Sequence, residues 1–294
     1  MKTRMSKFVY GFAAFGIFCL ACLAYAYFIE PNRLVVINSE IRIKGWDPVF
    51  DGLRIAMIGD IHGGANGGSP ENIRHVVAVA NAQNADIIVL LGDYVSENKN
   101  GGLKMPMREI ADNMAGLAAK DGVFAVLGNH DGRYSDNDVA AELTRVGYKV
   151  LQNDVVVIER GEKHLRILGL RDQLHVGVWK EFSDDAKRSV APTDNTGNLI
   201  ALEHAPDILP LLTGDLSISP DLKLILSAHT HGGQVWLPIF GRPIIPSSYG
   251  QKYAYGHIFD RGMGMFVTSG TGTSILPFRF MVPPEIAVVT VRAE

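Results

Sequence analysis

Leu53 to Gly64 reads LRIAMIGDIHGG. The apolar run Leu53–Gly59 has the length and composition of a buried strand, and it stops abruptly at Asp60 and His62, set among glycines. The same form recurs down the chain. ADIIVLLG (Ala85–Gly92) leads into Asp93, and GVFAVLG (Gly122–Gly128) leads into Asn129, His130 and Asp131. NLIALE (Asn198–Glu203) leads into His204, and LKLILSA (Leu222–Ala228) leads into His229 and His231.

Helical patterns separate these strands. Pro70 to Asn84 is one, with Ser69 placed as an N-cap and Pro70 just inside it. Pro106 to Lys120 and Asp136 to Val146 are two more. Further strands are expected at Leu34–Lys44, at YKVL (Tyr148–Leu151), at Asp154–Glu159 and His164–Leu170, and late in the chain at MGMFVTSG (Met263–Gly270) and EIAVVTV (Glu285–Val291). Short apolar strands alternating with helices argue an α/β fold with helices covering the sheet faces. The strand-rich second half argues a second sheet packed on the first. Gly232 to Gly262 is rich in Gly and Pro, lacks periodicity and reads as a long loop, the kind of segment that often carries function.

Composition narrows the classes. A net charge of −3 and a pI near 6.3 lack the basic face of a nucleic-acid binder, so no nucleic acid is expected as a partner. Cys19 and Cys22 are the chain's two cysteines, which excludes a disulfide framework or thiolate metal site in the rest of it. Lys2, Arg4 and Lys7 precede an uncharged run from Phe8 to Ile29. That run exceeds the ~7–15 apolar residues of a secretory signal core and reaches the ~20 that span a bilayer. It reads as an uncleaved, single-pass transmembrane helix, although Ala24-Tyr25-Ala26 has the form of a cleavage site. The cations before it and Glu30 after it favour a cytoplasmic N-terminus, with the bulk of the chain on the extracytoplasmic side. Arg33, Arg42 and Lys44 beyond the span work against that orientation. The expected division is an anchor at 1–30 and a catalytic domain at 31–294. The sequence carries no signal for oligomeric state.

Ligands in open α/β sheets collect at the carboxyl ends of strands. In extended backbone, residues i and i+2 face one side, so Asp60 and His62 are expected to converge, as are His229 and His231. Taken singly, Asp93 reads as a cap or turn residue, and a lone histidine as a hydrogen-bonded core residue. His75, His164, His175 and His257 read as structural or solvated. Together, the strand-end residues form an oxygen and nitrogen donor set suited to zinc, manganese or iron. They outnumber the positions of one tetrahedral ion and match two divalent ions sharing a carboxylate, about 3.5–4 Å apart.

In this order GDIHGG, GDYV, GNHD, LEHAPD and AHTHGGQ resemble the calcineurin-like metallophosphoesterase superfamily. The tail SGTGTSILPFRFMVPPEI (Ser269–Ile286) resembles that superfamily's membrane-anchored bacterial phosphodiesterase branch. The resemblance implies a four-layer α/β/β/α sandwich. By position, Asp60, His62, Asp93 and His231 resemble the ligands of one metal. Asp93, Asn129, His204 and His229 resemble those of the other, with Asp93 bridging. His130 matches a catalytic histidine that is not a ligand. Many members carry a second aspartate three residues after the bridging one. Here that residue is Ser96, which leaves Asp131 as the candidate support for His130. Ala228 stands where a glycine is usual.

The implied chemistry is hydrolysis of a phosphodiester or phosphomonoester. Two divalent ions would give hydroxide for in-line attack on phosphorus, with His130 stabilising charge or protonating the leaving oxygen. An anchored site points to a membrane- or envelope-associated, lipid-linked substrate at a bacterial inner membrane. Trp236, Leu237, Ile239, Phe240, Ile244 and Ile245 make the following loop apolar, read either as packing on its own domain or as a lip that meets acyl chains. Two alternatives remain: a UDP-2,3-diacylglucosamine pyrophosphatase acting on the cytoplasmic face, and a metal-binding scaffold without turnover.

Overall fold

The computed structural model describes residues 2–193, 197–214 and 216–294. Helix α1 (Lys2–Ala24) is followed by β1 (Val35–Ile43), β2 (Leu53–Ile58), α2 (Pro70–Ala82), β3 (Ile87–Leu91), α3 (Met107–Met114), β4 (Val123–Val126), α4 (Asn129–Tyr134), α5 (Asp136–Arg145) and β5 (Lys149–Val150). The second half runs β6 (Asp154–Arg160), β7 (Lys163–Gly169), α6 (Trp179–Val190), β8 (Asn198–Leu202), α7 (Leu209–Leu212), β9 (Leu222–Ser227), β10 (Gly256–Asp260), β11 (Met263–Val267) and β12 (Glu285–Ala293).

These strands build two six-stranded sheets, ordered β1-β12-β2-β3-β4-β5 and β10-β11-β9-β8-β7-β6. In the first, β2 to β5 run parallel, and β12 returns antiparallel to β2. In the second, β7, β8, β9 and β11 run parallel between antiparallel partners at the edges. Parallel strands end together, which puts their polar termini on one edge of each sheet.

Apolar residues sort into three clusters that define four layers. Met57, Val89 and Val126 of the first sheet meet Ile167, Leu202 and Leu226 of the second. On the outer face of the first sheet, Ile88, Leu90 and Val288 pack against Ile73, Ile110 and Leu143 of its helices. On the outer face of the second, Ala201, Ile225 and Met265 pack against Phe182, Ala186 and Leu209. The four-layer α/β/β/α sandwich expected from the sequence is the observed fold. Strands buried on both faces read as continuous apolar runs because no residue in them meets water.

Local signals acted largely as anticipated. Ser69 Oγ accepts from Asn72 N at 3.2 Å and caps α2, with Pro70 in the first turn. Helix α3 is shorter than its pattern, because Ala115 turns extended (ψ 142°) ahead of the left-handed Gly116. The Gly232–Gly262 segment is not loop throughout, since Gly256–Asp260 is the edge strand β10, pairing with β11. Helix α6 lay outside the sequence expectations.

The end of α1 is packed on the domain. The helix widens into a π turn at Tyr25–Ile29 and closes in a 3-10 turn at Glu30–Asn32. Ala26 and Glu30 are buried; Ala26 O accepts from Arg279 N at 3.1 Å, and Glu30 Oε2 accepts from Met281 N at 2.9 Å. Asn66 Nδ2 donates to Tyr27 O at 2.7 Å. Glu30 is therefore a structural acceptor. Before this junction the side chains from Tyr10 onward are largely exposed, and the segment is long and apolar enough to cross a bilayer.

The sheets approach closely where β7 ends. A Cβ on Gly169 would lie 2.2 Å from Leu151 Cβ and 2.9 Å from Val126 Cγ1. Overpacking of this kind destabilises by about 1–3 kcal/mol. Gly169→Val is expected to lower the urea midpoint accordingly, with an unchanged m-value in equilibrium unfolding.

Candidate metal centre

The strand-end residues of both sheets meet along one line. From the first sheet come Asp60 and His62 after β2, Asp93 after β3, and Asn129 and His130 at the start of α4. From the second come His204 after β8, and His229 and His231 after β9. His229 N donates to Asp60 Oδ1 at 3.2 Å, a bond between the two halves of the sandwich.

Two donor groups result, and a third set, His62, Asp93 and His130, overlaps them. Asp60, His62 and His231 form one, with His62 Nε2 and His231 Nε2 3.1 Å apart. Asp93, His204 and His229 form the other, with His204 Nε2 3.1 Å from His229 Nδ1 and 3.2 Å from Asn129 Oδ1. Asp93 Oδ2 lies between them, 3.5 Å from His62 Nε2 and 3.3 Å from His204 Nε2. Its other oxygen, Oδ1, accepts from His130 N at 2.8 Å. All the residues singled out in the sequence are brought together here. Asp60, His62, Asp93, His204 and His231 are buried, while Asn129, His130 and His229 are half-buried and form the open side.

The convergence has a different cause from alternation along a strand. Asp60, His62, Asp93, His229 and His231 all have positive φ, between 44° and 68°. Strands β2, β3 and β9 thus end in left-handed backbone, which costs roughly 1–2 kcal/mol for a residue with a Cβ. Gly232 and Gly233, also at positive φ, continue the turn. Thr230 points away from the donors and gives its hydroxyl proton to Ala254 O at 2.7 Å.

These residues fit divalent cations. Among the described residues, buried Asp60 Oδ2 has no hydrogen-bond partner. His62 Nδ1 and His204 Nδ1 lie 3.2 Å from Val95 O and 2.7 Å from Leu91 O. Those contacts commit each Nδ1 as a donor and leave the Nε2 lone pairs for the centre. Burial pushes the His62 and His229 imidazoles down to about 3, and His231 well below its ordinary value, so all three are neutral ligand forms. Burial raises the Asp60 carboxyl to about 7. Burial also opposes ionisation of Asp93, but the imidazoles of His204, His62 and His130 together outweigh it and hold that carboxyl well below its usual range. Burial would lower His204, yet the carboxyls of Asp93, Asp60 and Asp172 together keep it well above its ordinary value. That His204 proton occupies the position a cation would take, and cation binding would displace it.

Two further residues shape the centre, and sequence reasoning missed the role of both. Asp131 does not support His130. Its carboxylate accepts from the backbone N–H groups of Asp93, Tyr94, Val95 and Gly128 at 2.8 to 3.2 Å, fixing the Asp93 turn. Arg279, fully buried, donates to the carbonyls of Ser269, Gly270, Gly272 and Val282, and its Nη2 lies 3.5 Å from His231 Nδ1. The signal for Arg279 was a lone cation in an apolar tail, LPFRFMV. His130 Nε2 lies 3.5 Å from Ser274 Oγ, and burial keeps the imidazole below its ordinary value.

The profile of the calcineurin-like phosphoesterase family matches residues 53–233, which carry all of these donors. Among curated relatives, the uncharacterized metallophosphoesterase YkuE of Bacillus subtilis (strain 168) is 28% identical, over 92% of this chain and 89% of its own length. Phosphodiesterase YaeI of Escherichia coli (strain K12) is 27% identical, over 74% of each chain. A transmembrane protein with metallophosphoesterase domain from Danio rerio is 26% identical, over 87% of this chain and 57% of its own length. Divalent metals are the usual cofactors of such proteins, and the donor clusters here suit them. The chain belongs to the calcineurin-like phosphoesterase family and is a metal-dependent phosphoester hydrolase.

Proposed function

We propose that the chain hydrolyses a phosphodiester or phosphomonoester with two divalent ions, manganese, zinc or iron. The position of Asp93 Oδ2 between two buried donor groups carries this reading. Asp60, His62, Asp93 and His231 would hold one ion, and Asp93, Asn129, His204 and His229 the other. When bound, such ions supply Lewis-acid activation of water and neutralisation of phosphoryl oxygens. The chain's own contributions are positional and electrostatic. The imidazoles of His62, His229 and His231 stay neutral, so they bind cations rather than repel them. The half-buried side formed by Asn129, His130 and His229 is where the phosphoester would approach. Neutral His130 can donate its N–H to the phosphoryl or leaving oxygen as charge develops there.

The anchor at 1–30 would tether a catalytic unit at 31–294 to a bacterial inner membrane, with the unit on the extracytoplasmic side and a lipid-linked phosphoester as substrate. The exposed apolar helix supports the tether.

Asp93→Ala and His229→Ala are expected to abolish chelator-sensitive hydrolysis of a chromogenic phosphodiester and to lower the bound metal measured by elemental analysis. Full activity in Asp93→Ala would overturn the assignment. His130→Ala should retain its metals and lose about 10²–10⁴-fold in kcat. Gly270 has φ 65°, and a Cβ there would fall 2.5 Å from Asp60 Oδ2. Gly270→Ala is therefore expected to remain folded by circular dichroism while metal affinity drops about 10–100-fold in titration.

A further inference from the structure

The loop after His231 carries a strained and exposed tip. Leu237 and Gly241 exchange two backbone hydrogen bonds of 2.8 Å, closing Pro238, Ile239 and Phe240 into a three-residue turn. Ile239 sits at φ 76°. A β-branched residue in left-handed backbone is a genuine outlier, where glycine or asparagine is the ordinary occupant. The side chain held there is 100% exposed, and neighbouring Phe240 is 74% exposed. Strain of this kind persists where it serves a site. Among the described residues none covers Ile239 and most of Phe240 is left open, so packing on its own domain does not account for the tip.

The surroundings identify what does. Trp236 N donates to Phe280 O, and Phe280 N donates to Gln234 O, both at 2.9 Å. The preceding residue, Arg279, donates its N–H to Ala26 O. The base of the tip is thus joined, through a two-residue strip, to the end of the apolar helix. Phe28, Ile29 and Met281 are exposed beside that junction. On the site's other border, exposed Ile275 follows Ser274, the neighbour of His130. Exposed apolar side chains therefore stand at the end of the helix, beside the strip and next to the residue that neighbours His130.

We infer that the Pro238–Phe240 tip is a second membrane contact, seated in the same lipid surface as the helix, and that it holds the metal centre against phosphoesters at headgroup level. This rests on the helix being a membrane anchor. Exposed Ile and Phe at a loop tip, with Trp at its base, match what enters the acyl boundary and what stays at the interface.

The test uses the full chain with vesicles of phosphatidylcholine and phosphatidylglycerol, with and without brominated acyl chains. Brominated chains are expected to quench a tryptophan emission that disappears in Trp236→Phe. Ile239→Asp combined with Phe240→Asp should abolish that quenching. The same double variant should still float with the vesicles through its helix and still turn over a soluble chromogenic diester at the original rate. Floating protein whose Trp236 is unquenched, or quenched equally in the double variant, overturns the tip contact alone. Wild-type chain that fails to float overturns the anchor and, with it, this inference.

Discussion

The structure is organised around an electrostatic debt at the sheet edge. Asp60 and Asp93 are carboxylates withdrawn from water, and burying an ionised carboxylate is strongly unfavourable unless positive charge or hydrogen bonds answer it. The chain answers only in part. Asp93 has the His204 proton and one backbone donor, while Asp60 has one backbone donor and an oxygen with none. Fully buried Arg279 lies close by, but its donors go to carbonyls. The remaining demand for positive charge is what makes the edge a cation site.

Holding that arrangement requires rigid supports, and the fold supplies them from both sheets. Asp60, Asp93 and Asn129 ride on the first sheet, and His204, His229 and His231 on the second. The spacing of the two donor groups therefore depends on how Met57, Val89 and Val126 pack against Ile167, Leu202 and Leu226. Catalytic geometry and core packing are one problem here. A void between the sheets would be felt at the edge, because close-packed interiors transmit strain.

Much of this was legible in the sequence, for identifiable reasons. Strands buried on both faces leave unmistakable apolar runs, and the residues that end them stood out because they are polar. Ser69 and Pro70 marked a helix start through their own local chemistry. Other features had no local signature. The left-handed backbone of Asp60, His62, Asp93, His229 and His231 is imposed by tertiary contacts such as Asp60 N to Gly92 O and His62 N to Asp93 O, across separate loops. Asp131 looks like part of an N-H-D motif, yet its partners lie as many as 38 residues away. The edge strand β10 hid within a Gly- and Pro-rich segment, because an edge strand needs little apolar content to pair. Arg279 was missed because its value comes from carbonyls gathered by folding.

The junction at Ala26 to Asn32 carries a consequence for how substrate is met. No slack linker joins helix to domain, since Ala26, Tyr27 and Glu30 are all hydrogen-bonded into the loops that flank the centre. A flexible tether lets a domain sweep a volume and explore all tilts. With the helix in a bilayer, as proposed, this mount instead fixes height and tilt and leaves lateral drift and spin about the membrane normal. Encounter then becomes a search in two dimensions. The centre would discriminate by how far a phosphoester projects from the surface, a ruler set by the mount rather than by any side chain in the site.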